Sequence, residues 1–457
     1  MSGVVEEVAA PDEPRGEPSA PLRRNRDFLM LWFGAGLSML GGRLSVVAYP
    51  LVMVWQGGST IGAGLVGFAA LLPTLLVQLP AGVLVDRWDR RRLMIWCDVA
   101  GFAAMGSVGV ALLFGHVWLP HLMAAAFVEG GATIFYRLAE RAAVRNVVHP
   151  AHLPAALAQN EARGRAFGLV GGPAGSSLFA LVRWSPFVAT AIGHVLALVM
   201  LLLIKRDFQT GRRDEPRRLQ AEIREGLGWL LRQRFLRAAV VLVAATNILF
   251  QVMSLALVVI IKDSGGSPAA VGVISVVSGV GGVLGALSGS WWVKRLPLAT
   301  VIILSFAAWT LLMPAVALTA NVFALGGLFA GMTFCGAVMN VTAGVYQVQV
   351  TPDAMQGRIS SVVLLVTSGA NSFGAMGAGF LLSGFGSTPT LAGVGVVMLL
   401  ITLGAAVSPA IRSGNKIRLT GEAAGAAPEP APEPEREPER EPEPERERAG
   451  RRDSEEI

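Results

Sequence analysis

The stretch Ala81-Gly82-Val83-Leu84-Val85-Asp86-Arg87-Trp88-Asp89-Arg90-Arg91-Arg92 decides how the chain folds. It is a short charged hinge between two apolar runs, at about residues 60–85 and 93–114, each long enough to cross a hydrocarbon core of about 30 Å as a helix. Its arginines mark the side on which the hinge stays, because Lys and Arg are held in cytoplasmic loops.

The same pattern repeats outward in both directions. Apolar segments recur at about 28–55, 60–85, 93–114, 118–145, 155–182 and 186–204, then at 236–262, 268–293, 298–318, 321–348, 357–383 and 388–411. Alternate connections are basic. After the hinge come Arg141, Arg145, Arg163 and Arg165, the Arg-rich stretch from Lys205 to Arg237, Lys294 and Arg295, Arg358, and finally Arg412, Lys416 and Arg418. The other connections are short and hold only Arg183 and Lys262 as basic residues. This asymmetry puts both termini in the cytoplasm of an inner (plasma) membrane protein and requires an even number of helices.

Composition agrees. The chain has 457 residues, 53% hydrophobic and 15% charged, whereas soluble proteins carry about 25% charged residues. Mean hydropathy is +0.55. The 54 glycines suit helices that approach one another closely in lipid. Cys97 and Cys335 lie in apolar segments and read as free thiols. The formal charge of +6 splits into −7 from Gly421 onward and +13 before it. The basic body belongs to the loops and does not imply nucleic acid.

Five regions follow: a disordered arm over 1–26, a six-helix bundle over 27–204, a linker over 205–235, a second bundle over 236–411, and a disordered acidic Pro/Glu/Arg-rich tail over 412–457. The arm lacks the basic start and apolar core of a signal peptide. In the linker, Leu219, Ile223, Leu227, Leu230 and Leu231 recur at steps that fit an amphipathic helix on the membrane surface. The halves repeat: Gly82 to Gly289 and Arg87 to Lys294 are both 207 positions. One repeat per half is a common arrangement in secondary transporters.

The hinge resembles the cytoplasmic loop signature of the major facilitator superfamily: Gly82, three residues, Asp86, Arg87, two residues, then Arg90, with Asp89 where the family usually has Gly. Its triple Arg, together with Arg26-Asp27-Phe28-Leu29-Met30-Leu31-Trp32 and Val350-Thr351-Pro352-Asp353-Ala354-Met355-Gln356-Gly357-Arg358-Ile359-Ser360, is similar to the drug, macrolide and siderophore exporters of that superfamily, the enterobactin-exporter type among them. The resemblance implies an all-α major facilitator fold of 12 transmembrane helices in two six-helix bundles. It implies gating by Gly82, Asp86, Arg87 and Arg90, with Asp86 against the start of helix eleven near Gly357 and Arg358. Arg90 would pair with an acid on helix four; Arg137 stands at that position, and Glu140, one turn on, is the replacement. The other reading makes the Arg run a plain positive-inside anchor. Gly168-Leu169-Val170-Gly171-Gly172-Pro173 resembles the glycine-proline motif of antiporters, with Gly172 and Pro173 at its centre; ordinary close packing is the alternative.

The resemblance lines the cavity with helices one, four, seven and ten. Polar residues stand there at helical spacing: Ser38, Ser45 and Tyr49; Glu129, Thr133, Tyr136 and Glu140; Asn247, Gln251 and Ser254; Asn340 and Gln347, with Tyr346 beside them; Arg43 of helix one is a further cavity candidate. Glu129 is the first candidate for proton coupling, since a carboxylate in a membrane helix costs about 2.5–3.5 kcal/mol and marks a functional position. Pairing with Arg43 is its alternative. Arg43 could instead bind an anionic substrate. Asp98 is a second coupling candidate, or a partner for the loop arginines.

His116, His121, His149 and His152 offer no metal site, and no cofactor is implied. A Gly-Lys-Ser/Thr nucleotide loop and a nucleophile elbow are both absent, so no enzyme is expected. The expected partners are a small-molecule substrate, protons and the lipid bilayer, around a monomer. The expected function is export of hydrophobic or amphiphilic molecules (an antibiotic, drug or siderophore) by proton antiport. A proton-coupled metabolite importer and a non-transporting scaffold or sensor are the alternatives.

Overall fold

A computed structural model describes residues 21–205, 208, 219–351 and 353–412. The first 20 residues, most of the linker before Leu219 and the tail from residue 413 lie outside them, and with them the readings of an N-terminal arm and an acidic tail. The helices are α1 (Arg26–Trp55), α2 (Thr60–Leu76), α3 (Gln78–Arg87), α4 (Arg90–Leu113), α5 (Leu119–Val147), α6 (Leu153–Leu181) and α7 (Ser185–Leu203), then α8 (Leu219–Arg232), α9 (Arg234–Asp263), α10 (Pro268–Arg295), α11 (Leu298–Ala315), α12 (Val322–Val350), α13 (Asp353–Phe385), α14 (Ser387–Val407) and the short α15 (Pro409–Arg412). With α2 and α3 counted as one crossing and α8 as a linker, twelve crossings result. Ten of the helices are individually long and apolar enough to span.

The hinge explains two local features. Residues 60–85 read as one helix, but the structure interrupts it at Val77. Pro80 has no N–H for the Leu76 carbonyl, and its ring crowds that carbonyl. Asp89, the departure from the family pattern, caps α4: its Oδ1 accepts the Arg92 N–H at 2.7 Å. Asn25 starts α1 the same way, accepting from Phe28 N–H at 3.0 Å and donating to the Val147 carbonyl at the end of α5. At the opposite end of the bundle four tight loops each carry a glycine at positive φ: Gly58, Gly115, Gly265 and Gly386.

Large apolar side chains face outward along the helices, among them Leu181, Leu287, Leu311 and Leu400. In water such a surface would be untenable; in lipid it is the expected solvent-facing side. In the first half α1 packs on α6 and α7, and α4 on α5 and α7; in the second, α9 packs on α13, α10 on α12, and α11 on α14.

Two seams join the halves, α2 with α13 and α6 with α10, so the second helix of each half meets the fifth of the other. Glycine makes both possible. A Cβ on Gly64 would come within 2.8 Å of Ala375 O and Gly379 Cα. On the other seam Gly272 lies against Ser176 and Pro173, and Gly172 faces Ser275. These contacts lie towards the end away from the arginine-rich loops. At the arginine end α3 packs chiefly on α5 of its own half. The linker helix α8 buries Leu230 against Leu236, Val240, Ile359 and Val362, and Glu225 meets Arg358 at 2.7 Å. It is therefore docked on α9 and α13, beyond the surface role its pattern suggests.

Candidate functional site

Inside the first half, three ionisable side chains from three helices meet. His194 of α7 lies between Asp98 of α4 and Glu129 of α5. Its Nδ1 is 3.0 Å from Asp98 Oδ1, and its Nε2 is 3.1 Å from Glu129 Oε2 and 3.2 Å from Oε1. All three are buried, with Asp98 at 0% exposure. Gly101, one turn beyond Asp98 on α4, makes room for the imidazole: a Cβ there would clash with its Nε2 and Cε1 atoms. Ser38 Oγ of α1 is 3.4 Å from Nδ1. Asp98 Oδ2 is buried with no hydrogen-bond partner among the described residues. A buried polar group without a partner is costly, so this oxygen is a candidate to carry a proton or receive one.

The sequence reading named two members of this cluster and missed the third. His194 was legible only as a solitary ionisable residue in an apolar span, itself a pointer to function. The pairing corrects two alternatives. Among the described residues Glu129 takes its hydrogen bonds from His194 and none from Arg43. Asp98 is not a partner of the loop arginines: Arg90 donates to the Phe208 carbonyl at 3.2 Å, and Arg91 to the Leu201 and Leu202 carbonyls at the end of α7.

A second buried pair lies nearer the arginine end. Arg163 Nη2 of α6 donates to Glu140 Oε1 of α5 at 2.7 Å, Nη1 donates to the Trp32 carbonyl of α1 at 2.6 Å, and the guanidinium stands 5.5 Å from the Trp32 ring centroid. Glu140 is thus the partner of Arg163, where the sequence reading gave it to Arg90. Arg163, grouped by sequence with the loop arginines, lies inside α6, which begins ten residues before it.

The polar stripes divide. Ser45, Tyr49 and Tyr136 turn away from the space between the halves. Ser45 hydroxyl contacts Thr190 Oγ1 at 2.9 Å, Tyr49 hydroxyl approaches Met105 Sδ at 3.6 Å, and Tyr136 lies in the apolar core of the first half. Tyr346 is likewise buried, against Phe235 at 4.7 Å between centroids. Arg43 and Asn340 are exposed, and Thr133 and Asn247 half-buried. Gln251 donates to Asn371 Oδ1 and Gln347 to Ser360 Oγ, both across to α13. Of the gating candidates, Gly172 and Pro173 line a cavity of about 320 Å³ with Ser275, Ser278 and Thr333. Gly82 and Gly357 face open space, Arg87 is exposed, and Arg358 holds Glu225. The Asp86 side chain lies outside what the structure describes.

The family model described as transmembrane secretion effector matches residues 17–437. An uncharacterized MFS-type transporter of Bacillus subtilis, YfiS, is 24% identical over 89% of this chain and 99% of its own length. The multidrug efflux pump Tap of Mycobacterium tuberculosis is 28% identical over 47% of this chain and 53% of its own. Among solved structures, a point mutant of the nucleoside transporter NupG superposes with a TM-score of 0.68 at 12% identity, covering 83% of this chain and 99% of that one. An inward-facing bacterial homologue of the lysosomal transporter Spinster gives 0.67 at 13% identity, covering 87% and 99%. The hinge signature, the twelve crossings and the paired seams thus have one origin: the chain is a multi-pass membrane transporter of the major facilitator superfamily and belongs to its transmembrane secretion effector family.

Proposed function

We propose that this transporter exports small hydrophobic or amphiphilic molecules across the plasma membrane in exchange for protons. The observation that carries the reading is the buried Asp98–His194–Glu129 cluster. With an imidazolium between two carboxylates the cluster bears one net negative charge, and one added proton neutralises it. In surroundings of low dielectric that difference changes how the helices pack, because an uncompensated charge is costly there. Loading and unloading a proton therefore biases the two arrangements of the halves, which is what alternating access requires. The positive-inside rule assigns the arginine end to the cytoplasm. The seams hold the far end together, so this arrangement accepts its cargo from the cytoplasmic side. The efflux pumps among the relatives support export over uptake.

The test is accumulation of candidate compounds in cells with and without the protein. An exporter lowers accumulation, and collapse of the proton gradient abolishes the difference. Raised accumulation would instead identify an importer, and no change a scaffold.

A further inference from the structure

We propose that Arg43 and Arg137 bind an anionic group, a carboxylate or phosphate, on the transported molecule; the inference rests on the transport reading above and gives it a substrate class. Both side chains are exposed, mid-helix on α1 and α5. α1 packs on α5 here: a Cβ on Gly42, beside Arg43, would stand 3.6 Å from Thr133 Oγ1, one turn before Arg137, so the two arginines lie along the same α1–α5 contact. Arg137 Nη2 donates to Gln78 Oε1 at 3.2 Å, a neutral partner. The acids of this half within the membrane are committed elsewhere: Asp98 and Glu129 to His194, and Glu140 to Arg163. Two positive charges therefore stand without a described carboxylate. Placing an arginine in mid-bilayer costs about 2.5–3.5 kcal/mol, so such residues face a water-filled space or a counter-ion.

The direction of Arg43 agrees. Gly41 and Ser45 face Thr190 of α7, and Arg43, two residues from each, points to the other side of α1. There its Cβ packs on Gly171 of α6, an approach only glycine permits. Guanidinium groups present fixed forks of donors that match a carboxylate or phosphate in two-pronged fashion. The site adjoins the coupling cluster: a Cβ on Gly42 would stand 3.3 Å from Glu129 Oε1.

Two xanthene dyes of similar size and opposite charge test this by fluorescence polarisation on the purified protein in detergent: anionic carboxyfluorescein and cationic rhodamine 123. We expect carboxyfluorescein to bind more tightly, R43Q or R137Q to weaken it about tenfold or more, and R43K to fall between. R183Q, remote at the far end, should leave binding unchanged, and melting curves identify any variant that misfolds. Failure of the wild type to bind carboxyfluorescein, equal binding of both dyes, or unchanged binding in R43Q and R137Q would overturn the proposal. Binding needs no gradient, so unselective binding defeats this inference alone. Selective binding without solute movement under a gradient defeats the export reading alone.

Discussion

Glu140→Ala should be among the most destabilising single changes in the first half. The Arg163–Glu140 contact is 2.7 Å, and the two side chains are 1% and 5% exposed. At an effective dielectric of 20, opposite unit charges at that distance attract by about 6 kcal/mol, most of which offsets their desolvation. Removing one partner forfeits the attraction and keeps the other's desolvation, at a cost of about 3–5 kcal/mol. Arg163 would retain only the Trp32 carbonyl and ring. The assay is unfolding in mixed micelles of dodecylmaltoside and increasing dodecyl sulfate, followed by circular dichroism, on Glu140→Ala, Arg163→Met and Glu140→Leu/Arg163→Met. The double variant leaves no buried charge and should unfold close to the wild type. A loss below about 1 kcal/mol for Glu140→Ala, as for a surface pair, or a double variant as weak as the two singles combined, would refute the reasoning.

Three further outcomes follow from the geometry. Gly101→Ala places a methyl in steric conflict with the His194 ring and should lower gradient-driven transport as much as His194→Gln does; normal transport would contradict the clash. Gly64→Val forces α2 from α13 at the seam and should shift the population towards opening at the far end, read as increased labelling of a cysteine at Phe68, which now lies 5.7 Å from the Phe373 ring. Glu225→Ala cuts a half-exposed ion pair and should change stability by less than about 1 kcal/mol, measured in the same unfolding assay.

The sequence made the fold legible because lipid imposes a strict rule: every crossing must be a helix of sufficient length, and arginines record the side of each loop. The interruption at Val77 escaped that reading, since hydropathy averages over a proline. The site was half legible. Helical spacing puts Ser45, Tyr49 and Arg43 on one helix with defined angles, but it does not say which neighbour covers which angle. Ser45 and Tyr49 proved to face α4 and α7, and Arg43 the other side. His194 gathers partners 96 and 65 residues away, a convergence with no trace in local pattern. Asp98 is close in sequence to the loop arginines, a proximity that suggests a pairing the fold does not make. Arg91 donates instead to the Leu201 and Leu202 carbonyls that end α7 and lack helical partners, and Arg90 to the Phe208 carbonyl.

In the proposed mechanism a proton held at the Asp98–His194–Glu129 cluster drives solute movement. The most direct measurement is solute flux in proteoliposomes under an imposed pH gradient, with internal pH followed by a trapped dye, for the wild type, His194→Gln and Glu129→Gln. We expect the wild type to dissipate the gradient only when solute is present, and both variants to lose that coupling while solute binding persists. Full solute-dependent proton movement in both variants would contradict the claim.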